Sequence, residues 1–192
     1  MTRPAAPPSK PIGTQCVALI RGINVGRGNR VAMADLRDLF SGLGHENVRT
    51  ILNSGNVLFR CPRPNVRKLS VAIEAAIAAA CGFSASVMVM TAADLAAIIG
   101  ENPLLNMAKD PARHLVAFVA HARHLAPLHP LLKESWKPDA LAITDRAAYL
   151  WCSTGILDSK LLHAFVRKAG TTVTTRNWAT VLKLQTAAET LP

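Results

Sequence analysis

Apolar positions along the chain come in two rhythms, unbroken short runs and three-four spaced stripes, and the two alternate. Residues 16–20 (Cys16, Val17, Ala18, Leu19, Ile20) are apolar without interruption over the length of a strand. Such a run fits a strand covered on both faces. Met33, Leu36, Leu39, Phe40 and Leu43 then recur at spacings of three and four, predicting a helix with one apolar stripe, ended by Gly44. Residues 48–52 and 57–60 read as two antiparallel strands about Asn53-Ser54-Gly55-Asn56, where Ser-Gly suits a two-residue hairpin turn. Val66, Leu69, Ile73, Ile77 and Ala80 return to helical spacing up to Gly82, and residues 86–90 form another strand.

The same order then starts again. Thr91 and Asp94 stand at capping-box spacing before a linking helix over 95–99, which Asn102-Pro103 stops because a residue before proline avoids helical angles. A strand is expected over 115–120, and a helix over 126–136 interrupted by Pro127 and Pro130. Residues 140–144 and 147–152 form a hairpin about Asp145-Arg146. A helix over 159–169 turns Leu161, Leu162, Phe165 and Val166 inward and ends at Gly170. A short strand over 171–174 and a last helix from about Arg176 complete the series.

The resulting fold class is α+β, with two ferredoxin-like β-α-β-β-α-β units in tandem. Element order alone carries the duplication, since the halves share no visible residue identity. The expected organisation is a disordered leader over 1–12, a first unit over 13–91, a linking helix and loop over 92–110, a second unit over 111–188 and a tail over 189–192. The leader has prolines where an export signal needs an apolar segment, and no apolar run is long enough to span a bilayer, so a cytoplasmic protein without membrane contact is expected. Cys16, Cys61, Cys81 and Cys152 have no C-x-x-C spacing and suit apolar packing in a reducing compartment.

Charge changes the picture most in the first third. Residues 1–70 hold 11 Lys and Arg against three carboxylates, so +8 of the formal net charge of +10 lies there. An excess of that kind gathers anions. Its focus is the loop 21–30, where Arg21, Arg27 and Arg30 accompany Asn24, Gly26, Gly28 and Asn29 between a strand and a helix. Backbone N–H groups in such a loop are anion donors, although neither P-loop nor dinucleotide-binding spacing is present. Ser54 and Asn56 of the hairpin, and Arg176 and Asn177 at the start of the last helix, are candidates to join the same anion; a plain hairpin turn and a plain cap are the alternatives. His121, His124 and His129 lack a completing ligand at short range, so neither metal nor cofactor is expected.

Arg21-Gly22-Ile23-Asn24-Val25-Gly26, Ser54-Gly55-Asn56, Asn102-Pro103 and Thr174-Thr175-Arg176-Asn177-Trp178, in that order, resemble the domain of unknown function 1697 family. The resemblance runs from about Cys16 to Leu184. It implies an α+β fold of two ferredoxin-like subdomains and a bacterial cytoplasmic protein, and it carries no established activity or catalytic residue.

Three functions stay open on the sequence. The first is a binder of an anionic, phosphate-containing ligand, whether nucleic acid or nucleotide. The second is an enzyme acting on a small phosphorylated or acidic metabolite between the units, with no general base identified. The third is a structural or interaction protein that uses its sheet edges, a second copy of the chain being one such partner.

Overall fold

The computed structural model describes residues 13–26 and 28–190. The expected leader, Arg27 and the last two residues of the expected tail therefore lie outside the described residues. The chain forms β1 (Thr14–Arg21), α1 (Met33–Gly42), β2 (Glu46–Ile51), β3 (Asn56–Cys61), α2 (Val66–Cys81) and β4 (Ser86–Thr91), followed by the linking helix α3 (Ala92–Gly100). It continues with β5 (His114–Val119), two 3-10 segments (Ala122–His124 and Ala126–Lys133), β6 (Ala140–Ile143), β7 (Ala147–Trp151), α4 (Lys160–Ala169), β8 (Val173–Asn177) and α5 (Trp178–Glu189).

The strands make two four-stranded antiparallel sheets, ordered β2-β3-β1-β4 and β6-β7-β5-β8. Each sheet is covered on both faces, which is why β1 and β5 read as unbroken apolar runs. From β1, Val17 and Leu19 face a central cluster that also takes Val116 and Phe118 of β5. Cys16, Ala18 and Ile20 point the other way, against Leu36 and Phe40 of α1 and Ile73 and Ile77 of α2. On the second sheet Leu115 and Ala117 face Leu161 and Phe165 of α4 together with Leu128 and Leu131. The layers are therefore helices, sheet, a middle layer of α3 and α5, sheet, helices.

The middle layer joins the two sheets through Leu95 and Ile98 of α3 and Trp178, Val181 and Leu184 of α5. A hydroxyl adds direction to that apolar contact: Tyr149 Oη, fully buried on β7, donates to the Ile98 carbonyl at 2.6 Å. Thr91 and Asp94 form the reciprocal capping box at the start of α3, as their spacing predicts. The four cysteines are free thiols, and burial pushes Cys16 up to about 12, so it stays protonated.

Four local expectations are corrected. The segment expected as a helix over 126–136 is the 3-10 run Ala126–Lys133, since Pro127 and Pro130 cannot donate in a helical ladder. The hairpin pairs Ile51 with Asn56, leaving four residues in the turn, with Leu52 and Gly55 in the left-handed region. The last strand is Val173–Asn177, so Arg176 is paired with Val116 in a sheet and does not start a helix. Val166 of α4 is 48% exposed, unlike its buried neighbours Leu162 and Phe165.

Candidate functional site

The end of β1, the β2–β3 turn and the α4–β8 turn meet around a cleft of about 250 Å³ between the two sheets. Of the residues expected at a site, Arg21, Ser54 and Arg176 line it, and Asn56 lies directly behind. Chain segments about 120 residues apart thus come together.

Arg176 is the centre of the arrangement. Its Nε donates to Asn56 Oδ1 at 2.5 Å, and its Nη1 to the Thr175 carbonyl at 2.8 Å. Nη2 faces the carbonyls of Ile20 at 2.8 Å, Ser54 at 3.1 Å and Gly55 at 3.4 Å. Every one of these acceptors is neutral, and burial lowers the guanidinium to about 10. The group remains cationic at neutral pH. Asn56, fully buried, has its amide orientation dictated by this network: Nδ2 donates to the Ile51 carbonyl and to Ser54 Oγ, so Oδ1 is left to accept from the arginine.

Arg21 makes the reciprocal crossing from the first sheet to the second. Its Nη1 donates to the Gly170 carbonyl at 3.1 Å and the Val173 carbonyl at 3.3 Å. Among the described residues, Nε and Nη2 of Arg21 meet no acceptor. Gly55 fits here because of close approach: a Cβ at this residue, where φ is +76°, would stand 2.8 Å from the Ile20 carbonyl oxygen. The Ile20 N–H in turn donates to the Gly55 carbonyl at 2.7 Å, locking the turn onto β1.

The other described residues of the arginine loop bond among themselves and to nearby backbone. Asn24 Nδ2 donates to the Val31 and Asn53 carbonyls, its Oδ1 accepts from the Val31 N–H, and its own N–H donates to the Asn29 carbonyl. Asn29 Nδ2 donates to the Gly22 carbonyl, and Arg30 Nη2 to the Gly26 carbonyl at 2.7 Å. These contacts hold the loop while Ile23 plugs the core beneath it. Gly26, Gly28, Asn29 and Arg30 are exposed and do not line the cleft. Asn177 is likewise occupied: its Oδ1 accepts from the Thr180 N–H at 2.9 Å and hydroxyl at 2.7 Å, capping α5. Asn177 is thus the N-cap of α5.

The second-sheet wall, from Phe165, Val166 and Ala169 to Val173 and Thr175, was not foreseen. Val166, expected to face inward, is instead part of this exposed wall. Nor did sequence point to the polar cluster behind β5. There His114, with no exposed surface, stacks on Trp178 at 5.1 Å and meets the Asn102 amide at 3.3 Å through Nε2. Burial lowers His114 to about 4. His121 and His124 lie ring against ring at 5.5 Å, and among the described residues no third His, Cys, Asp or Glu completes a metal-binding group.

Two antiparallel sheets sharing a middle helical layer, with paired arginines crossing the cleft between them, define a mixed α+β protein whose candidate site sits at the junction of its sheets. The chain belongs to the domain of unknown function 1697 family, whose model, described as a protein of unknown function, matches residues 14–149. A solved structure, that of the conserved bacterial protein SP0830 from Streptococcus pneumoniae, is similar to it with a TM-score of 0.74 at 25% identity. The alignment covers 91% of this chain and 98% of that one. No curated protein matches the chain. Among the described residues, no helix is long and apolar enough to cross a membrane.

Proposed function

We propose that this is a cytoplasmic bacterial protein that binds a small anionic, phosphate-bearing ligand of nucleotide type in the cleft between its sheets. The observation that carries this reading is the pair Arg21 and Arg176: two guanidinium groups line one cleft, and among the described residues neither has a carboxylate partner. A cation removed from water and faced only by neutral oxygens gains more from an arriving anion than a solvated one does. The apolar wall of Ile20, Ile23, Phe165 and Val173 suits the body of such a ligand, and the volume suits one nucleotide unit better than a polymer.

Binding is favoured over reaction because the described residues lining the cleft include no carboxylate, imidazole or thiol. Ser54 Oγ accepts from an amide, and among the described residues no base hydrogen-bonds to it. The two sheets, with the same order and the β-α-β-β-α-β succession, support two ferredoxin-like units over 13–91 and 111–188 joined by 92–110, the 3-10 segments standing where the second unit's first helix belongs.

The test is calorimetry with AMP, adenosine and inorganic phosphate at two salt concentrations, on the native chain and on Arg21→Gln. AMP is expected to bind, adenosine to bind at least about tenfold more weakly, and Arg21→Gln to lose the difference. Equal affinity for AMP and adenosine, or AMP binding untouched by the substitution, removes the proposal.

A further inference from the structure

A second feature lies away from the cleft, along the outer edge of the first sheet. β2 ends the strand order, so alternate backbone N–H and C=O groups of this strand point out of the sheet. A groove of about 720 Å³ runs along it, bounded by α1 on one side and α5 on the other. Arg37 stands on the α1 side and donates through Nη1 to Thr50 Oγ1 at 3.0 Å. Arg49 projects from the strand itself, and Lys183 from α5 on the opposite side. All three cations are exposed, and among the described residues no carboxylate lines the groove. Its floor is apolar, formed by Ile51 and Leu182.

From this geometry we infer that the β2 edge is a docking site for an acidic peptide segment, which adds as a further strand and places carboxylates between the three cations. The regular part of the edge is short. The register shifts between Glu46 and Arg49, and Asn47 sits at φ +51°, so pairing is confined to Arg49, Thr50 and Ile51. Backbone hydrogen bonds over those residues hold the peptide, and flanking acids reach Arg37 and Lys183 on either face.

Charge selects this occupant over the others. A second copy pairing through the same edge brings Arg37, Arg49 and Lys183 against themselves, a like-charge contact that opposes association. The chain's own residues 1–12 contain Arg3 and Lys10 and no carboxylate, so they are repelled as well. Single-stranded nucleic acid carries the right sign, but among the described residues no aromatic side chain lines the groove to stack a base.

The experiment uses the full chain and three fluorescein-labelled probes: a hexapeptide alternating Glu and Val, the same peptide with N-methylated backbone amides, and a hexamer of deoxythymidine. Anisotropy gives affinities, and amide hydrogen exchange locates the contact. The acidic peptide is expected to bind and to slow exchange in residues 49–51, the N-methylated form to lose about tenfold or more, and Arg49→Glu and Lys183→Glu each to weaken binding about tenfold or more with unchanged melting temperature. Binding of the N-methylated peptide at full strength, tighter binding of the oligonucleotide, or exchange protection outside β2 overturns the proposal. So does indifference to both charge reversals.

Discussion

Arg176 illustrates how one side chain can serve two ends at once. Its donors satisfy carbonyls at the end of β1 and in the β2–β3 turn that would otherwise face a cleft wall unpaired. Arg176→Met is expected to lower stability by about 3 kcal/mol in urea unfolding, because several acceptors lose their charged donor together. Arg176→Lys should recover less than half, since an ammonium cannot present a planar fork to Asn56 and Ile20 simultaneously. A loss below about 1 kcal/mol for the methionine variant means the contacts are incidental.

His114 makes a different demand. Its folded value of about 4 lies below the ordinary 6.5, so between those limits the unfolded chain holds more protons than the folded one. The contribution of His114 to stability is full above about pH 6.5 and is lost as the pH falls toward 4, by about 3 kcal/mol. Denaturant titrations at pH 7, 5.5 and 4 should show that slope, and His114→Phe should flatten it; an unchanged slope in that variant assigns the acid sensitivity elsewhere. At this scale the sequence was legible only in part. Glycines around Arg21 and an expected helix start at Arg176 marked the two arginines as unusual, but nothing in residue spacing told which donors carbonyls would consume. Asn24, Asn29 and Asn177 bear the same amide as Asn56, yet only Asn56 is turned toward the arginine.

Among the elements, the β2–β3 turn is the most constrained. Gly55→Ala sets a Cβ against the Ile20 carbonyl and Cβ at 2.8 and 2.9 Å, at a φ that L residues rarely adopt. The expected cost is about 2 kcal/mol or more in thermal unfolding, with faster amide exchange at Ile20 as its hydrogen bond to residue 55 stretches. Retained exchange protection at Ile20 contradicts that account. Elements with an unbroken run or a clean stripe, such as β1, α1 and α2, could be read directly because burial on a fixed period leaves a visible record. The last strand was expected over 171–174 and lies over Val173–Asn177. Thr174, Thr175, Arg176 and Asn177 look polar, and only pairing with the buried β5 keeps them extended. The 3-10 segment defeated a helical reading for the opposite reason: its leucines keep helical spacing while its prolines deny the hydrogen bonds.

For the whole molecule, the middle layer decides cooperativity. Because α3 and α5 pack on both sheets, neither sheet keeps its inner face covered when the other unfolds. Leu184→Ala, at a fully buried position of α5, should cost about 2–5 kcal/mol and should lower the exchange protection of β1 and β5 amides by the same amount. Loss confined to one sheet shows two independent units. The layering also explains why the linking helix was visible in sequence while the cleft was not. Element order fixes each sheet by itself, but a space between sheets depends on how two inner faces share one set of helices.

That shared layer sets a schedule for biosynthesis. α5 follows every strand in chain order, yet it shields apolar residues on β1 and β3 that leave the ribosome more than a hundred residues earlier. A nascent chain of this protein therefore carries part of the first sheet uncovered, a surface suited to a chaperone, until nearly all of its translation is complete.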